Sequence, residues 1–410
     1  MTLPIALAAA LAAPIFALDP PPQAQQEQRP SPSSSPGRSY GGPGGPPGAE
    51  EMTAEEVAAN ESRHLKDIRQ VTYGFAKAGE GYFSPDGKTV IFQAAEYPEP
   101  TTLQPPPEGW DGYQIYMAEL TPGARPVMVS TGEGKCTCAY FHPDGKSILF
   151  ASSHLDPALQ EDAPEADHPK APAYSRSERY AWDFDPHMDI FRLDLDDRGR
   201  FFRNIGTSED GRPVFGKPME RETLVRLTDA PGYDAEGSYS PDGSQIVFTS
   251  FRDGDADIYV MDADGSNVRQ ITDAPGYDGG PFFSPCGKYL IYRSDRQEND
   301  LLQLFINTVD GQNERQLTDN EHVNWGPYFH PDGRFIAYST SKHGHFNYEI
   351  YLMDLETGDE RRLTFAPGFD GLPVFSPDGS KLMWTSKGRT ADNTSQLFIA
   401  DFVLDPDAEQ

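Results

Sequence analysis

The sequence predicts an all-β protein, a six-bladed β-propeller with four antiparallel strands in each blade. Three observations predict this fold: a turn motif that occurs six times, a regular spacing between most copies of it, and alternating apolar strands after each copy. The regular spacing is close to the length of one four-stranded propeller blade, which is about 45 residues.

The turn motif is the tetrapeptide Ser-Pro-Asp-Gly or a close variant, preceded by an aromatic residue. Proline sets φ at the second position of a type I turn, aspartate suits the third position and glycine the fourth, so each copy should join two antiparallel strands. The last four copies are 44, 46 and 46 residues apart, and the first two intervals are 58 and 98 residues. The copies are Phe83–Gly87, Phe141–Gly145, Tyr239–Gly243, Phe283–Gly287, Phe329–Gly333 and Phe375–Gly379.

The strands after each turn define the blade and the way in which the ring closes. One repeat contains the strands Gln245–Ser250 and Asp257–Asp262, and then an outer strand that ends at Thr272. The last repeat has no outer strand after Gln396–Asp401, whereas a matching segment, Ile68–Thr72, precedes the first turn. We therefore expect an N-terminal strand to complete the last blade, which leaves no open sheet edge.

The repeats resemble those of the TolB-like propellers. The similarity is carried by the segment from Asp257 to Thr272, which reads DIYVMDADGSNVRQIT, and the resemblance covers roughly residues 65 to 405. It implies a six-bladed propeller with WD-like repeats. It does not imply the Tol–Pal role, because TolB carries an α/β domain before its propeller and only a short tether and helix precede the first blade here.

The N-terminal segments have other compositions. Residues 1–17 form an apolar run that ends in small residues, as in a secretory signal peptide, so we expect an exported protein that is periplasmic or extracellular. Residues 18–64 form a tether rich in Pro, Gln, Ser and Gly, which ends in a short helix that a capping box at Thr53–Glu56 opens and that runs to about His64. The propeller follows over residues 65–405, and no later segment is long enough for a transmembrane helix.

The net charge of the chain limits the classes of partner that it is expected to bind. The formal net charge of −30 argues against nucleic acid, because phosphates are bound through basic patches. We expect a monomer that binds a protein or a cell-envelope saccharide.

The three cysteines, Cys136, Cys138 and Cys286, do not form a disulfide framework. Cys136 and Cys138 either pair with each other or are two small buried thiols.

Equivalent positions in the six blades indicate a binding site at the mouth of the central channel. This mouth lies on the crossing face, defined as the face that carries the inter-blade crossings and the loops from second to third strands. Seven residues before each turn proline the blades carry Ala78, Cys136, Asp234, Asp278, Asn324 and Asp370. Two residues further on they carry Glu80, Cys138, Glu236, Gly280, Gly326 and Leu372.

These two series predict channel-mouth binding residues. The predicted residues are Asp234, Glu236, Asp278, Asn324, Asp370 and Glu80, together with Trp325 on a crossing. Converging carboxylates require a cation or a hydrogen-bond donor, so Asp234, Asp278 and Asp370 are candidate ligands of a hard cation such as Ca²⁺, with no other cofactor implied. In the alternative interpretation, each aspartate caps its own crossing turn through a local hydrogen bond.

Insertions add a second candidate surface. Residues 96–112 and 154–188 join second to third strands and should project from the crossing face, whereas residues 196–221 should lie on the opposite face. The predicted binding residues on the 154–188 insertion are His154, Tyr180, Trp182 and His187, although the two aromatic residues could equally anchor the loop. The segment Asp253–Asp257 resembles a calcium loop, but it lacks the twelve-residue pattern and is interpreted as a hairpin turn.

The sequence favours a non-catalytic function. Nucleophile elbow, zinc-protease, P-loop and dinucleotide motifs are all missing from it. The first hypothesis is an exported propeller that binds a protein or cell-envelope partner through its channel-mouth face. The alternative is a metal-assisted lyase or hydrolase that acts on a polysaccharide, in which His154, His187, His343 or His345 would converge with the channel carboxylates.

Overall fold

The computed structural model describes residues 52–97, 112–159, 184–194, 204–207, 213–215 and 224–406. All of them lie within one compact unit, Gly45–Gln410. They contain one α-helix, α1 (Ala54–Glu61), a 3₁₀ turn at Pro157–Leu159 and 26 strands. No helix in this part of the chain combines the length and hydropathy needed to cross a membrane. The predicted signal segment, 1–17, lies outside the described residues.

The strands form six four-stranded antiparallel sheets and one two-stranded hairpin. The first strand, β1 (Leu65–Gln70), belongs to blade 6. Blade 1 consists of β2 (Lys77–Phe83), β3 (Thr89–Ala95), β4 (Gln114–Glu119) and β5 (Val127–Met128). Blade 2 consists of β6 (Cys136–Phe141), β7 (Ser147–Ser152), β8 (Asp189–Asp194) and β11 (Leu224–Arg226), with the hairpin β9 (Asn204–Thr207) and β10 (Pro213–Phe215) inserted between the last two.

The other four blades follow the same plan without an inserted hairpin. Blade 3 consists of β12 (Asp234–Tyr239), β13 (Gln245–Ser250), β14 (Asp257–Asp262) and β15 (Arg269–Gln270). Blade 4 consists of β16 (Asp278–Phe283), β17 (Tyr289–Ser294), β18 (Gln303–Thr308) and β19 (Arg315–Gln316). Blade 5 consists of β20 (Asn324–Phe329), β21 (Phe335–Thr340), β22 (Glu349–Asp354) and β23 (Glu360–Arg362). Blade 6 consists of β24 (Phe369–Phe375), β25 (Lys381–Lys387), β26 (Gln396–Phe402) and β1. The predicted six-bladed fold is confirmed.

The repeated motif forms the turn between the first and second strands of each blade. In blade 3 the Gly243 N–H donates to the Ser240 carbonyl oxygen at 2.8 Å, and Gly243 has φ +74°. Asp242 Oδ1 accepts from Ser240 Oγ at 2.7 Å and from the Ser244 N–H at 3.0 Å. These hydrogen bonds lower the pKa of Asp242 to about 2. Aspartate therefore fixes the turn through its own side chain.

The ring closes as the sequence predicts. β1 pairs with β26 in an antiparallel register that joins Leu65 to Phe402 and Gln70 to Phe398. Thr72 lies just beyond the strand, donates to Gln396 Oε1 at 2.8 Å and accepts from the Leu397 N–H at 2.9 Å. The N-terminal segment therefore supplies the outer strand of blade 6 and removes its free edge.

The helix before the ring begins as predicted and ends earlier. Thr53 is the N-cap and forms a reciprocal capping box with Glu56. α1 ends at Glu61 rather than at His64, because the chain must extend into β1 from Leu65. The buried Glu61 carboxylate accepts from Arg389 Nη2 at 2.6 Å and from the Phe365 N–H at 2.8 Å. These contacts bind the helix to blade 6.

The core lies between neighbouring blades, and cysteines add no covalent link to it. The largest fully buried side chains include Trp384, Tyr292 and Tyr338, which belong to second strands of their sheets. All three cysteines are free: Cys136 is buried, Cys138 is half-buried and Cys286 is exposed. Stability therefore rests on apolar burial and hydrogen bonds.

Candidate functional site

Each inner strand carries a bulge at the channel mouth. Five residues before each turn proline the backbone adopts a left-handed conformation, and the pairing with the second strand shifts register there. The φ values are +46° for Glu80, +53° for Cys138, +56° for Glu236, +58° for Gly280 and Gly326, and +55° for Leu372. The side chains at these six positions therefore point in a direction that the alternation of a regular strand would not give them.

In blades 1, 2 and 6 the bulge N–H group donates to a side chain on the second strand of the preceding blade. The Glu80 N–H donates to Thr385 Oγ1 at 3.0 Å, and the Leu372 N–H donates to Ser339 Oγ at 3.0 Å. The Gly280 N–H instead reaches the Glu236 carboxylate at 2.6 Å. The strained positions are thus held by neighbouring blades, which fixes the geometry of the mouth.

Glu236 is the centre of a polar network at the mouth. Its carboxylate accepts from the Tyr277 hydroxyl at 2.8 Å, from Thr249 Oγ1 at 2.9 Å and from Arg293 Nη2 at 2.9 Å. Arg293 Nη2 also donates to Tyr277 Oη at 2.6 Å. A Cβ at Gly280 would lie 1.8 Å from Arg293 Nη1, so glycine is required there to leave room for the guanidinium. We call Glu80, Cys138, Glu236, Tyr277 and Arg293 the mouth cluster.

The mouth cluster holds two carboxylates and one guanidinium. Glu80 accepts a hydrogen bond of 3.3 Å from Tyr82 Oη, while Arg293 is bonded to Glu236. Burial, followed by the charge of Glu236, raises the pKa of Glu80 to about 7. Burial and the charge of Glu80 also raise the pKa of the Cys138 thiol well above its usual range. Glu80 therefore titrates near neutrality, and Cys138 is a protonated thiol rather than a nucleophile.

Aromatic rings close the channel beyond the mouth cluster. Tyr82, Tyr140, Phe282 and Tyr328 come from blades 1, 2, 4 and 5, three residues before each turn proline. Ring centroids are 5.1 Å apart for Tyr82 and Tyr140, 5.8 Å for Tyr82 and Phe282, and 5.1 Å for Phe282 and Tyr328. The hydroxyls of Tyr140 and Tyr328 are 3.1 Å apart. The mouth is therefore a depression with an aromatic floor.

The three aspartates predicted as metal ligands are each paired with an arginine of their own blade. Asp234 is 3.2 Å from Arg252 Nη2, Asp278 is 2.6 Å from Arg296 Nη2, and Asp370 is 2.6 Å from Arg389 Nη2. In each blade the arginine lies two residues beyond the end of the second strand. The geometry lends no support to a shared Ca²⁺ site on these aspartates, which remains a prediction.

The other predicted mouth residues divide between two environments. Asn324 is buried, and its amide donates to Gln303 Oε1 at 3.0 Å and to Asn320 Oδ1 at 3.1 Å. Trp325 is half-buried, with its ring 5.8 Å from the Arg293 guanidinium and 5.9 Å from the Phe369 ring. Glu80, Glu236 and Trp325 therefore meet around Arg293, whereas Asn324 belongs to a local hydrogen-bond network.

The insertion of blade 2 returns to the mouth through a residue that the sequence analysis did not single out. The Phe184 ring lies 5.1 Å from Tyr233, 4.7 Å from Phe251 and 5.7 Å from Tyr277 of the mouth cluster. His154 is buried, with Nδ1 2.8 Å from Ser152 Oγ, and His187 Nε2 is 3.7 Å from Asp156 Oδ1. Tyr180 and Trp182, also predicted to bind, lie outside the described residues.

The histidines on the crossing face contact residues of their own blades. His343 Nε2 lies 2.8 Å from Tyr351 Oη, and the His345 ring stacks edge-on against Phe346. Across the described ranges, one group of three or more His, Cys, Asp or Glu side chains has ligand atoms within 4.8 Å of one another: Asp253, Asp257 and Asp273. The histidine and carboxylate convergence expected of the enzyme hypothesis is not found in this part of the chain.

Arg293 and Tyr277 are the mouth residues that the sequence analysis missed. A blade-by-blade comparison of the second strands would have found Arg293, because eight residues after each turn proline the chain carries Gln93, Ala151, Thr249, Arg293, Ser339 and Thr385. Arg293 is the one charged residue in this series. Tyr277 has no comparable signal, since an aromatic residue on a crossing is common in this sequence.

Comparisons with known proteins agree with this architecture. The family model described as the TolB beta propeller domain matches residues 214–347 and 298–403. The Tol-Pal system protein TolB of Syntrophus aciditrophicus (strain SB) is 32% identical over 77 residues, which is 18% of this chain and 17% of that protein. The match thus spans less than a fifth of the relative's length.

The solved structures that resemble this chain are more distant in sequence. A TolB structure from Agrobacterium tumefaciens has a TM-score of 0.49 at 19% identity and covers 80% of this chain and 91% of its own. Oligogalacturonate lyase from Vibrio parahaemolyticus has a TM-score of 0.41 at 14% identity and covers 82% of this chain and 93% of its own. The match of residues 214–403 to the TolB beta propeller domain, together with the six repeats, supports a TolB-like propeller.

Proposed function

We propose that this protein is an exported, non-catalytic propeller that binds a protein partner of the cell envelope through its crossing face. The observation that carries the proposal is the distribution of exposed apolar side chains. Six large hydrophobic residues are exposed in the described part of the chain, and four of them lie on crossing-face loops. These four are Tyr73, Leu155, Leu159 and Phe346, with Phe346 85% exposed. Loops that present exposed apolar groups on one face of a rigid scaffold are suited to binding a partner.

The mouth cluster supplies the polar part of the proposed contact. The aromatic floor makes the mouth a dead end, which suits the insertion of a partner side chain rather than passage through the ring. Arg293 is already paired with Glu236, so Glu80 is the carboxylate that can take a new cationic partner. A lysine or arginine of the partner would offset the charge of Glu80, and the net charge of −30 favours approach by a basic surface.

The relatives are consistent with this class of function. The TolB protein of Syntrophus aciditrophicus is named as a component of the Tol-Pal system, which supports a protein rather than a saccharide as the partner. The apolar segment at residues 1–17 supports export. Loops on a rigid scaffold commonly carry such binding functions.

Site-specific cross-linking in the native envelope tests the proposal. A photoreactive residue at Phe346 should give a defined cross-linked protein, and the same residue at Asp264, an exposed turn position on the opposite face, should give none. Phe346→Asp should weaken capture without lowering the melting temperature, because the side chain is exposed. Equal cross-linking from both faces, or capture that Phe346→Asp does not change, would contradict the proposal.

A further inference from the structure

The interface between blades 2 and 3 differs from the other five at one pair of positions. In the other five, an apolar side chain on the third strand of a blade belongs to the same buried cluster as the aromatic residue that ends the inner strand of the next blade. Between blades 2 and 3 the same two positions carry Arg192 and Tyr239. A polar pair therefore replaces an apolar one here. The five apolar pairs are Met117 with Phe141, Val260 with Phe283, Ile306 with Phe329, Leu352 with Phe375 and Ile399 with Phe83.

A cleft opens at this polar pair, on the face opposite the crossing face. Blade 2 lines the cleft with residues of its turn motif and of β8, which include Arg192, and blade 3 lines it with Tyr239 and Ala263. Its volume is about 310 Å³, near the lower end of the range of small-ligand sites. The cleft therefore has room for a ligand with one sugar ring rather than for a peptide.

The two cationic side chains of the cleft have donors that no described residue uses. Arg192 donates to Asp194 through Nε at 2.8 Å and through Nη2 at 3.3 Å, which leaves its Nη1 without a partner in the part of the chain that the structure describes. Lys146 is exposed, and its ammonium group forms no ion pair with a described residue. A ligand with an oxyanion group can accept charge-assisted hydrogen bonds from both side chains.

Tyr239 adds a hydroxyl group that packing does not require, because the other five interfaces have phenylalanine at this position. The side chain is buried, and its Oη has no hydrogen-bond partner among the described residues, although the Ser147 hydroxyl lies near it. Native structures rarely leave a buried hydroxyl group unpaired. The unpaired hydroxyl is therefore an independent sign that this interface is built for a polar ligand.

Acceptors at the rim of the cleft complement these donors. Asp144 and Asp194 are exposed, and Asp144 Oδ1 lies 2.6 Å from His142 Nδ1 and accepts from the Lys146 N–H at 2.8 Å. Each carboxylate keeps lone pairs that can accept from the hydroxyl groups of a ligand. The His142 ring stands edge-on to Tyr239, with centroids 4.8 Å apart, and joins the turns of the two blades. The cleft thus offers donors for an anion and acceptors for hydroxyl groups.

We propose that this cleft binds a sugar acid, a monosaccharide that carries one carboxylate group. The carboxylate would accept from Arg192 Nη1 and from the Lys146 ammonium group, and hydroxyl groups of the ring would donate to Asp144 and Asp194. A phosphate monoester carries more negative charge than a carboxylate at neutral pH, and the net charge of −30 favours the ligand with the smaller charge. The cleft lies opposite the mouth cluster, so a bound sugar leaves the crossing face free for a protein.

A ligand-observed NMR titration of the full-length protein with glucuronate, at physiological salt, tests the proposal. The wild-type protein should show saturable binding of glucuronate, whereas glucose and acetate, which lack the carboxylate or the ring, should bind at least about tenfold more weakly. Lys146→Ala should weaken glucuronate binding about tenfold, because it removes a charge-assisted contact. The matched control is Lys288→Ala, at the equivalent exposed position of blade 4, which should bind glucuronate as the wild type does.

The decisive variant is Arg192→Val, which introduces the residue that blade 3 carries at the same strand position. It should lose glucuronate binding and melt at or above the temperature of the wild-type protein, because the apolar contact of the other interfaces is restored. If the wild type binds glucuronate no more tightly than glucose, or if Arg192→Val or Lys146→Ala keeps the wild-type affinity, the proposal is wrong. An equal loss in Lys288→Ala would assign the binding to general surface charge and would overturn it too.

Discussion

Replacing Glu80 with glutamine is expected to stabilise the protein at pH 8 and to leave its stability nearly unchanged at pH 4. Glu80 lies in the mouth cluster beside Glu236, and the one guanidinium of that cluster is bonded to Glu236 rather than to Glu80. Glutamine has the shape of the protonated acid but cannot ionise. The difference between the two proteins therefore isolates the cost of charging Glu80.

The sign and size of the effect follow from the pKa of Glu80. Its value is about 7 in the folded protein, against an ordinary value of 4.5. Below pH 4.5 the Glu80 carboxyl is protonated in both the folded and the unfolded state, so the full stability of the protein with a neutral Glu80 is present. Between these values the folded state holds a proton that the unfolded state has lost, so stability falls as pH rises, by about 1.4 kcal/mol per pH unit. The full loss is about 3 kcal/mol, an upper value because Glu80 keeps partial solvent contact.

Urea unfolding of wild type and Glu80→Gln at half-unit steps from pH 4 to pH 8.5 measures this difference. The difference in unfolding free energy between Glu80→Gln and wild type should increase above pH 4.5 and become constant above pH 7. Glu321→Gln, at an exposed position on the crossing between blades 4 and 5, controls for a general change in net charge. A flat Glu80→Gln difference, or one in which the wild type gains stability toward pH 8, would refute the argument.

Two further predictions follow from the ion pairs and thiols. Glu61→Gln leaves Arg389 paired with Asp370 and removes charge-assisted hydrogen bonds, so we expect a loss of about 2 kcal/mol of unfolding free energy in urea titrations; Glu55→Gln on the exposed side of α1 should cost little. At pH 8 a thiol reagent should modify Cys286 rapidly and the two thiols of blade 2 only after denaturation, since burial raises the pKa of both. Fast labelling that persists in Cys286→Ser would contradict the second prediction.

Much of the fold could be predicted because its signals are local and repeated. Each turn depends on the φ of proline and glycine and on the reach of one aspartate side chain, as at Asp242, and all of these lie within five residues. The alternation of apolar and polar residues after each turn is also a local signal, and it predicts which side chains of the blade are buried. Counting the strands was enough to predict that β1 completes blade 6, because a single repeat lacks its outer strand.

The candidate site was predicted only in part, because equivalent position in a repeat does not specify side-chain direction. Asp234, Asp278 and Asp370 align at one level, but each turns into a blade interface and meets an arginine 18 or 19 residues further along the chain. Glu80 and Glu236 face each other because of a bulge that has no sequence signature, as glutamate, cysteine, glycine and leucine all occupy it.

The sequence by itself determined the number of blades, the position of the first turn in each blade and the closure of the ring, since these depend on backbone preferences of consecutive residues. Tertiary structure alone decided which charges meet. Glu80, Cys138, Glu236 and Arg293 come from four blades, and the balance of two carboxylates against one guanidinium exists only when the ring has closed. Such a balance cannot be read from the sequence, because Coulomb energy depends on distance in space and not on separation along the chain.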